Sequence, residues 1–435
     1  MRVWVFLALV AKLAAGQGSS VLELARKAPP EFFADAAIKL AERGEVSASE
    51  RQPLLEEAFQ AAKHAHDPVR LVAIPIAGME TRAGLRNSAG ALGLDALSLE
   101  SRVLKLMAAT DATRALELFQ SLDRPALEMR PCEDPMIADA SAYYETLGLL
   151  APGQTPLLML AVGQARSPSE LASLAKMLAA DRVLQKDDLR LVAGALALKL
   201  GSAAVDYRAF TLTADELRIG LDGIAGIAGV GATPQLGEAV RKFATEQMSW
   251  PRCDEEFGDA KWFVEWFNKG FRGAVNQGKP DPIREEETWA TKFLGRFKTE
   301  RYFESGDAKQ ISEDFAKLRV SRVRPEWREA LAGFLKEFSA WKPEGADIDQ
   351  FHQRMTVLHG LFQLIPPSED RDALAARAVE YLRSSGVERQ YPAEWLLQVK
   401  SFASTAAGDR TKLMTAFQKS GDPGLAVFAA IGGVP

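Results

Sequence analysis

Apolar residues recur along most of the chain at the three- and four-residue spacing that places them on one face of an α-helix. The stretch after Ser47 is typical, since Leu54, Leu55 and Ala58 fall on one side of a helix and charged residues fall on the other. Several such stretches begin with a capping box, in which a cap side chain and a Glu or Gln three residues later bind free amides of the first turn. This rule predicts helix starts at Ser47–Glu50, Ser167–Glu170, Thr213–Glu216 and Asp307–Gln310.

Short segments rich in Gly and Pro separate these stretches, and no run alternates apolar and polar residues as a half-buried strand would. Many helices of ordinary length joined by short loops predict an all-α fold of stacked helical hairpins. Further helices are predicted over residues 31–43, 95–108, 135–150, 186–200, 234–248, 256–275, 285–298, 325–340, 347–364, 369–384, 392–404 and 409–419.

The segment from Asp111 to Phe119, with the sequence DATRALELF, resembles one helix of a TPR- or HEAT-type helical repeat. The resemblance implies an α-solenoid-like array, which is an architecture and not an activity. The TPR pattern does not recur at its fixed spacing of about 34 residues, so no functional residue is carried over from that family.

The composition changes along the chain. Residues 17–240 are rich in Ala and Leu, whereas the seven tryptophans that follow Trp4 all lie in residues 241–435. A Gly-rich run from Gly220 to Gly231 precedes the change, and it lacks the Lys-Ser/Thr pair of a phosphate-binding loop. We expect this run to allow close helix packing or to act as a hinge. The array is therefore predicted in two halves, with one continuous array of drifting composition as the alternative.

The N-terminus has the three parts of a signal peptide: Arg2, an apolar run from Val3 to Ala11, and the small residues Ala14, Ala15 and Gly16. Residues 1–16 are thus predicted to be removed and the protein to be exported to the periplasm or outside the cell. A buried first helix or an uncleaved anchor is the alternative. No later run is apolar for long enough to predict a transmembrane segment.

Charge and length set further limits. The chain has 435 residues, 47% of them hydrophobic and 26% charged, which is typical of a globular protein. Acidic and basic residues are mixed, with a formal net charge of −5, so no nucleic-acid partner is expected. The even cysteine count allows an exported chain one disulfide, between Cys132 and Cys253. Two free buried thiols are the alternative.

Histidines, the usual metal ligands, are few. On a helix, His64 and His66 would point in opposite directions, although a loop would let them converge. His352 and His359 share a helical face without a carboxylate or cysteine to complete a ligand set. We expect no metal site and no cofactor, and we find no sequence motif of a catalytic site.

Two clusters are candidates for ligand binding. Trp262 and Trp266 share one helical face, and Arg319, Arg322 and Arg324 form a basic run. Tryptophan and arginine supply much of the contact energy at interfaces, although a helical core and a solvated surface are the plain alternatives. The leading hypothesis is an exported scaffold without catalytic activity that binds a protein or peptide. The alternative is an all-α enzyme or ligand-binding protein whose pocket lies in the aromatic C-terminal half, and convergent acidic or histidine side chains in a pocket would favour it.

Overall fold

The computed structural model confirms an all-α fold. The predicted signal peptide, residues 1–16, lies outside the described residues. The structure describes residues 20–435 apart from 75–77, 79, 123–126, 128–129, 132, 181–182, 230–234, 254–259, 276–279, 289–294, 296, 298–300, 344 and 433–435.

The helices and two short strands follow one another along the chain in this order: α1 Pro30–Glu42, α2 Ala48–Ala62, β1 Arg70–Ala73, α3 Arg82–Gly90, α4 Ala96–Ala108, α5 Ala112–Gln120, β2 Met136–Asp139, α6 Ser141–Leu150, α7 Thr155–Gln164, α8 Pro168–Leu178, α9 Lys186–Leu200, α10 Tyr207–Ala228, α11 Leu236–Ser249, α12 Lys261–Trp266, α13 Arg272–Val275, α14 Gly306–Ser321, α15 Trp327–Ala340, α16 Asp347–Leu364, α17 Glu369–Ser384, α18 Pro392–Thr405, α19 Arg410–Lys419 and α20 Pro423–Val427. A π-helix, Phe267–Phe271, joins α12 to α13.

The chain divides into two compact units. The first, unit 1, combines residues 1–68, 77–100 and 299–435, and the second, unit 2, combines residues 69–76 and 101–298. The change of composition at residues 240 and 241 lies within unit 2, and the division into two halves on that basis stays a prediction.

Unit 2 is built from two layers of helices. Helices α6, α8 and α10 pack side by side in one layer, and α7, α9 and α11 do so in the other. Helix α10 also packs on both α9 and α11. This alternation is the arrangement of stacked helical hairpins predicted from the sequence.

In unit 1 the hairpins are α14 with α15, α16 with α17, and α18 with α19. Helices α14, α16 and α18 follow one another in one layer, and α17 packs against α19 in the other. The side chain of α18 residue Trp395 is fully buried and lies 5.6 Å, ring centre to ring centre, from Phe32 of α1.

Contacts between successive hairpins recur at a nearly constant distance along the sequence. Lys176 binds Glu216 at 3.0 Å, 40 residues away, and Lys242 donates to the carbonyl of Gly201 at 2.9 Å, 41 residues away. In unit 1, Lys412 lies 3.3 Å from Asp372, again 40 residues away. The period matches the 40 to 47 residues of HEAT-type repeats better than the 34 of a TPR.

One predicted helix start is corrected. Thr213 does not start a helix: α10 begins earlier, where the Asp206 carboxylate accepts from the Arg208 and Ala209 amides. The two short strands β1 and β2, which no pattern in the sequence indicated, form an antiparallel pair with Leu71 opposite Ala138. Four residues per strand are too few for an alternating pattern to be recognised in the sequence.

The glycine run gives close packing at two positions. A methyl group added at Gly220 would lie 2.4 Å from the backbone of Ala175 in α8, and one added at Gly223 would lie 2.6 Å from the Ala179 side chain. Nothing lies within 4 Å of a methyl group added at Gly226. The first two glycines therefore allow the backbones of α8 and α10 to touch.

Candidate functional site: a pocket lined by carboxylates and histidines

Unit 1 contains a cavity of about 500 Å³. This volume is within the range of small-molecule sites, about 300 to 1,000 Å³. Its walls combine prolines with ionisable side chains. The ionisable residues that line it are Lys27, Glu31, His64, His66, Glu388, Arg389 and Asp422.

Helix ends and turns bring these side chains together. Glu31 lies in the first turn of α1, directly after Pro29 and Pro30, and its Oε1 accepts a 2.5 Å hydrogen bond from the amide of His66. This bond ties the turn that follows α2 to the start of α1. His64 and His66 therefore lie in a non-helical turn, the conformation that lets both side chains line one cavity.

The opposite end of the chain supplies the other two carboxylates. Glu388 lies in a single 3-10 turn after Gly386, whose φ of 67° favours glycine. Asp422 caps α20, where its Oδ1 accepts from the Leu425 amide at 2.8 Å. Both acids are thus fixed by backbone features that do not depend on a ligand.

Burial makes ionisation of these acids costly. Loss of water raises the pKa of Glu31, Glu388 and Asp422 above the usual carboxyl range, and for Glu388 the nearby Asp422 charge adds to the effect. The Oε2 atoms of Glu31 and Glu388 are buried and have no hydrogen-bond partner among the described residues. A buried acceptor without a partner costs free energy, which a donor from a ligand would recover.

Within the described part of the chain, no three His, Cys, Asp or Glu residues are placed to hold a metal ion. The side chain of Arg389 is 85% exposed and lies 3.8 Å from Glu388 Oε1, so it leaves Oε2 unoccupied. The pocket suits a ligand with several donors spread over its surface better than a point cation.

A second polar cluster in unit 1 is closed to solvent. His352, fully buried on α16, has its Nε2 2.7 Å from Glu394 Oε2, and the Gln398 amide nitrogen lies 3.0 Å from its Nδ1. Since an amide nitrogen can only donate, Nδ1 accepts and Nε2 carries the proton directed at Glu394. Every polar atom of this imidazole is thus used within the protein, and His352 is a core residue.

His359 lies two helical turns after His352 on α16, and its burial predicts that the stability of the protein depends on pH. Its ring stacks on Phe402 with centres 5.7 Å apart, and burial lowers its pKa to about 4. In the unfolded chain a histidine has a pKa near 6.5. Between pH 6.5 and pH 4 the unfolded state therefore binds a proton on His359 that the folded state does not bind. Stability present above pH 6.5 is therefore lost as the pH falls, by about 2 kcal/mol at pH 5.

The substitution His359→Phe keeps the stacked ring and removes the titration. We expect its free energy of unfolding, measured with urea at pH 8 and pH 5, to fall less between the two conditions than that of the wild type. Equal losses in the two proteins would contradict the assignment of this pH dependence to His359.

The structure places the predicted tryptophans at the surface of unit 2. Trp262 is 40% exposed, and the half-buried Trp266 donates from its indole nitrogen to the Asp222 carboxylate at 3.0 Å. The neighbouring Phe263 and Phe267 are fully buried and belong to the core. The Trp266 ring also lies against Phe263 and Phe271, with ring centres 4.8 and 4.7 Å apart, and ligand binding by the two tryptophans stays a prediction.

The predicted arginines Arg319, Arg322 and Arg324 are exposed, and they belong to unit 1. Since the tryptophans belong to the other unit, a joint site for Trp and Arg residues stays a prediction. The predicted disulfide also stays a prediction. Cys132 lies outside the described residues, so its distance from Cys253 is not described.

The three carboxylates that line the pocket were not identified from the sequence. Glu31, Glu388 and Asp422 are three of 58 acidic residues, and more than 350 positions separate the first two along the chain. The one signal available was the pair His64 and His66, whose convergence in a loop had been considered.

No protein-family model, curated protein or solved structure matches this chain.

Proposed function

We propose that this chain is an exported helical-repeat protein that binds a small ligand carrying ammonium or guanidinium groups in the pocket of unit 1. One observation carries the proposal: two buried carboxylates that line the cavity, Glu31 and Glu388, each have an oxygen without a partner. Such oxygens need donors, and a positive charge would also offset the cost of ionising them.

The chemistry selects the class of ligand. An ammonium group has three N–H donors and a guanidinium has five, and neither accepts a hydrogen bond. Asp422 adds a third carboxylate to the walls, while the histidines can accept hydrogen bonds in their neutral form. Anionic ligands are disfavoured because they would meet the unpaired acceptors of Glu31 and Glu388.

The pocket supports the second of the two hypotheses drawn from the sequence, that of a ligand-binding protein. A peptide scaffold has the support of the stacked hairpins alone, which is an argument from architecture. Convergent ionisable side chains with raised pKa values are the feature that favours a ligand-binding protein. The pocket is built from both ends of the chain and so differs from the predicted one in the aromatic C-terminal half.

The test is calorimetric titration at pH 8 with agmatine and spermidine, and with citrate as an anionic comparison. We expect binding of the two cations, and at least about tenfold weaker binding to Glu31→Gln and Glu388→Gln, since each removes one charge from the pocket. Glu337→Gln, an exposed position of α15, is the matched control and should bind like the wild type. Absence of cation binding, or equal affinity in all variants, would overturn the proposal.

The substitution Glu31→Gln should also stabilise the protein in the absence of ligand. Because the pKa of Glu31 is raised in the folded state, the folded chain binds more protons, and stability falls as the pH rises above the unfolded value of about 4.5. We expect Glu31→Gln to have a higher Tm than the wild type at pH 8 and an equal one at pH 4. A lower Tm at pH 8 would mean that Glu31 is a structural acceptor and no more.

Export is the remaining part of the proposal, and its support is the order of Arg2, the apolar run and Ala14-Ala15-Gly16. Among the described residues no helix has both the length and the apolar character needed to cross a bilayer. We expect the native protein to begin near Gln17, as measured by mass spectrometry of its N-terminus. Soluble cytoplasmic protein that retains Met1 would refute export.

A further inference from the structure

The turn between α14 and α15 carries an unusual mixture of exposed side chains. Val320 is 65% exposed and Val323 is 92% exposed, and they are the two most exposed large hydrophobic residues described in unit 1. Val323 leaves almost its entire apolar surface in water and Val320 about two thirds of its own, which costs free energy without any gain in the isolated protein.

Basic residues surround the two valines. Arg319, Arg322, Arg324 and Arg328 are exposed, and none forms an ion pair with a described residue. Residues 319–328 contain four basic residues and one acidic residue, Glu326, which gives a net charge of +3 in a chain whose formal net charge is −5. The hairpin tip is therefore a local positive patch with an apolar centre.

This combination selects one kind of partner. An acidic polypeptide would pair with the arginines but leave the valines in water. A bilayer that contains anionic lipids offers both phosphates, which guanidinium groups bind bidentately, and an apolar layer just beneath them. We propose that the tip formed by residues 319–328 docks on the surface of a membrane containing anionic phospholipids, with Val320 and Val323 inserted between headgroups.

The test is flotation of the whole protein with vesicles of phosphatidylcholine, alone or mixed in equal parts with phosphatidylglycerol. We expect binding to the mixed vesicles only, and its loss at about 0.5 M salt, where exposed charges are screened. Removing two charges in Arg322→Gln/Arg324→Gln should weaken partitioning roughly 30-fold, given the usual contribution of each basic residue at an anionic surface. Val320→Ser/Val323→Ser should also weaken it, without any change of charge.

A control of equal charge change is Lys400→Gln/Lys419→Gln, at exposed positions of the same unit. It should partition like the wild type, and an equal loss would show that net charge alone governs binding and overturn the proposal. Equal binding to neutral vesicles, or none to either kind, would overturn it too. Binding to polyglutamate without flotation would assign the patch to an acidic polypeptide instead.

Discussion

Replacing Arg208 by Met should lower the free energy of unfolding by about 4 kcal/mol, since it breaks three hydrogen bonds from a buried, charged donor to part-buried carbonyl groups. This arginine is 4% exposed, near the start of α10. Its guanidinium donates to the carbonyl oxygens of Arg130 at 2.6 Å, Pro131 at 3.1 Å and Asp134 at 3.1 Å. Methionine keeps the length of the chain but supplies none of these bonds.

A matched control lies on the same helix. Arg218 is partly exposed and pairs with Asp215 at 2.9 Å, one turn earlier. Exposed pairs of this kind contribute about 0.5 kcal/mol, so Arg218→Met should change stability little. Both variants are compared by urea unfolding followed by circular dichroism, and a loss below about 1 kcal/mol for Arg208→Met would show that the loop finds other donors.

The position of Arg208 also bears on the predicted disulfide. The carbonyls that it binds flank Cys132 in the sequence, and the Arg252 guanidinium, next to Cys253, lies 4.6 Å from the ring centre of Tyr207. The dipeptide Tyr207-Arg208 therefore contacts residues beside both cysteines. This supports the predicted pairing without testing it.

The second large effect is expected from a pair of glycines on one helix. Gly220→Ala should destabilise the protein by about 3 kcal/mol, because the new methyl group would lie 2.4 Å from the Ala175 carbonyl carbon and the two helices must separate. Gly226→Ala, two turns later, meets nothing within 4 Å and should stabilise by about 1 kcal/mol, the usual difference between Gly and Ala in a helix.

The essential result is that the same Gly→Ala substitution lowers the free energy of unfolding at Gly220 and raises it at Gly226. Urea unfolding of both variants gives the difference, about 4 kcal/mol in total. If both substitutions stabilise, the backbones of α8 and α10 are not in contact at Gly220. If both destabilise, alanine is tolerated at neither position, and Gly226 also lies in close contact with a neighbouring segment.

Much of the helical architecture follows from the sequence. The ranges 186–200, 347–364 and 369–384 agree with the observed helices at both ends. Periodicity succeeds there because each helix buries one face against a neighbour in its array, so the pattern and the packing share the same origin. The predicted helix 256–275 was less accurate, since a π-helix at Phe267–Phe271 interrupts the α-helical course.

The pocket could not be read from the same pattern. Its acids lie at helix starts and in turns, where acidic residues are common for reasons of capping and helix dipoles. Nothing in the local sequence distinguishes Glu31 from the exposed acids that begin other helices. What sets it apart is burial and a missing partner for Oε2, and both depend on residues brought together from distant parts of the chain.

The division of unit 1 into separate chain segments has a kinetic consequence. Arg43, at the end of α1, donates to the carbonyl of Ile431 at 2.9 Å, across 388 residues. At a synthesis rate of about 5 to 20 residues per second, roughly 20 to 80 s pass between the appearance of these two residues. During that interval all of unit 2 is synthesised and can fold, while the apolar face of α1 that packs against the C-terminal helices stays exposed to solvent. The pocket of unit 1 is therefore among the last parts of the molecule to form, and a chain whose synthesis stops before Asp422 lacks one of its three carboxylates.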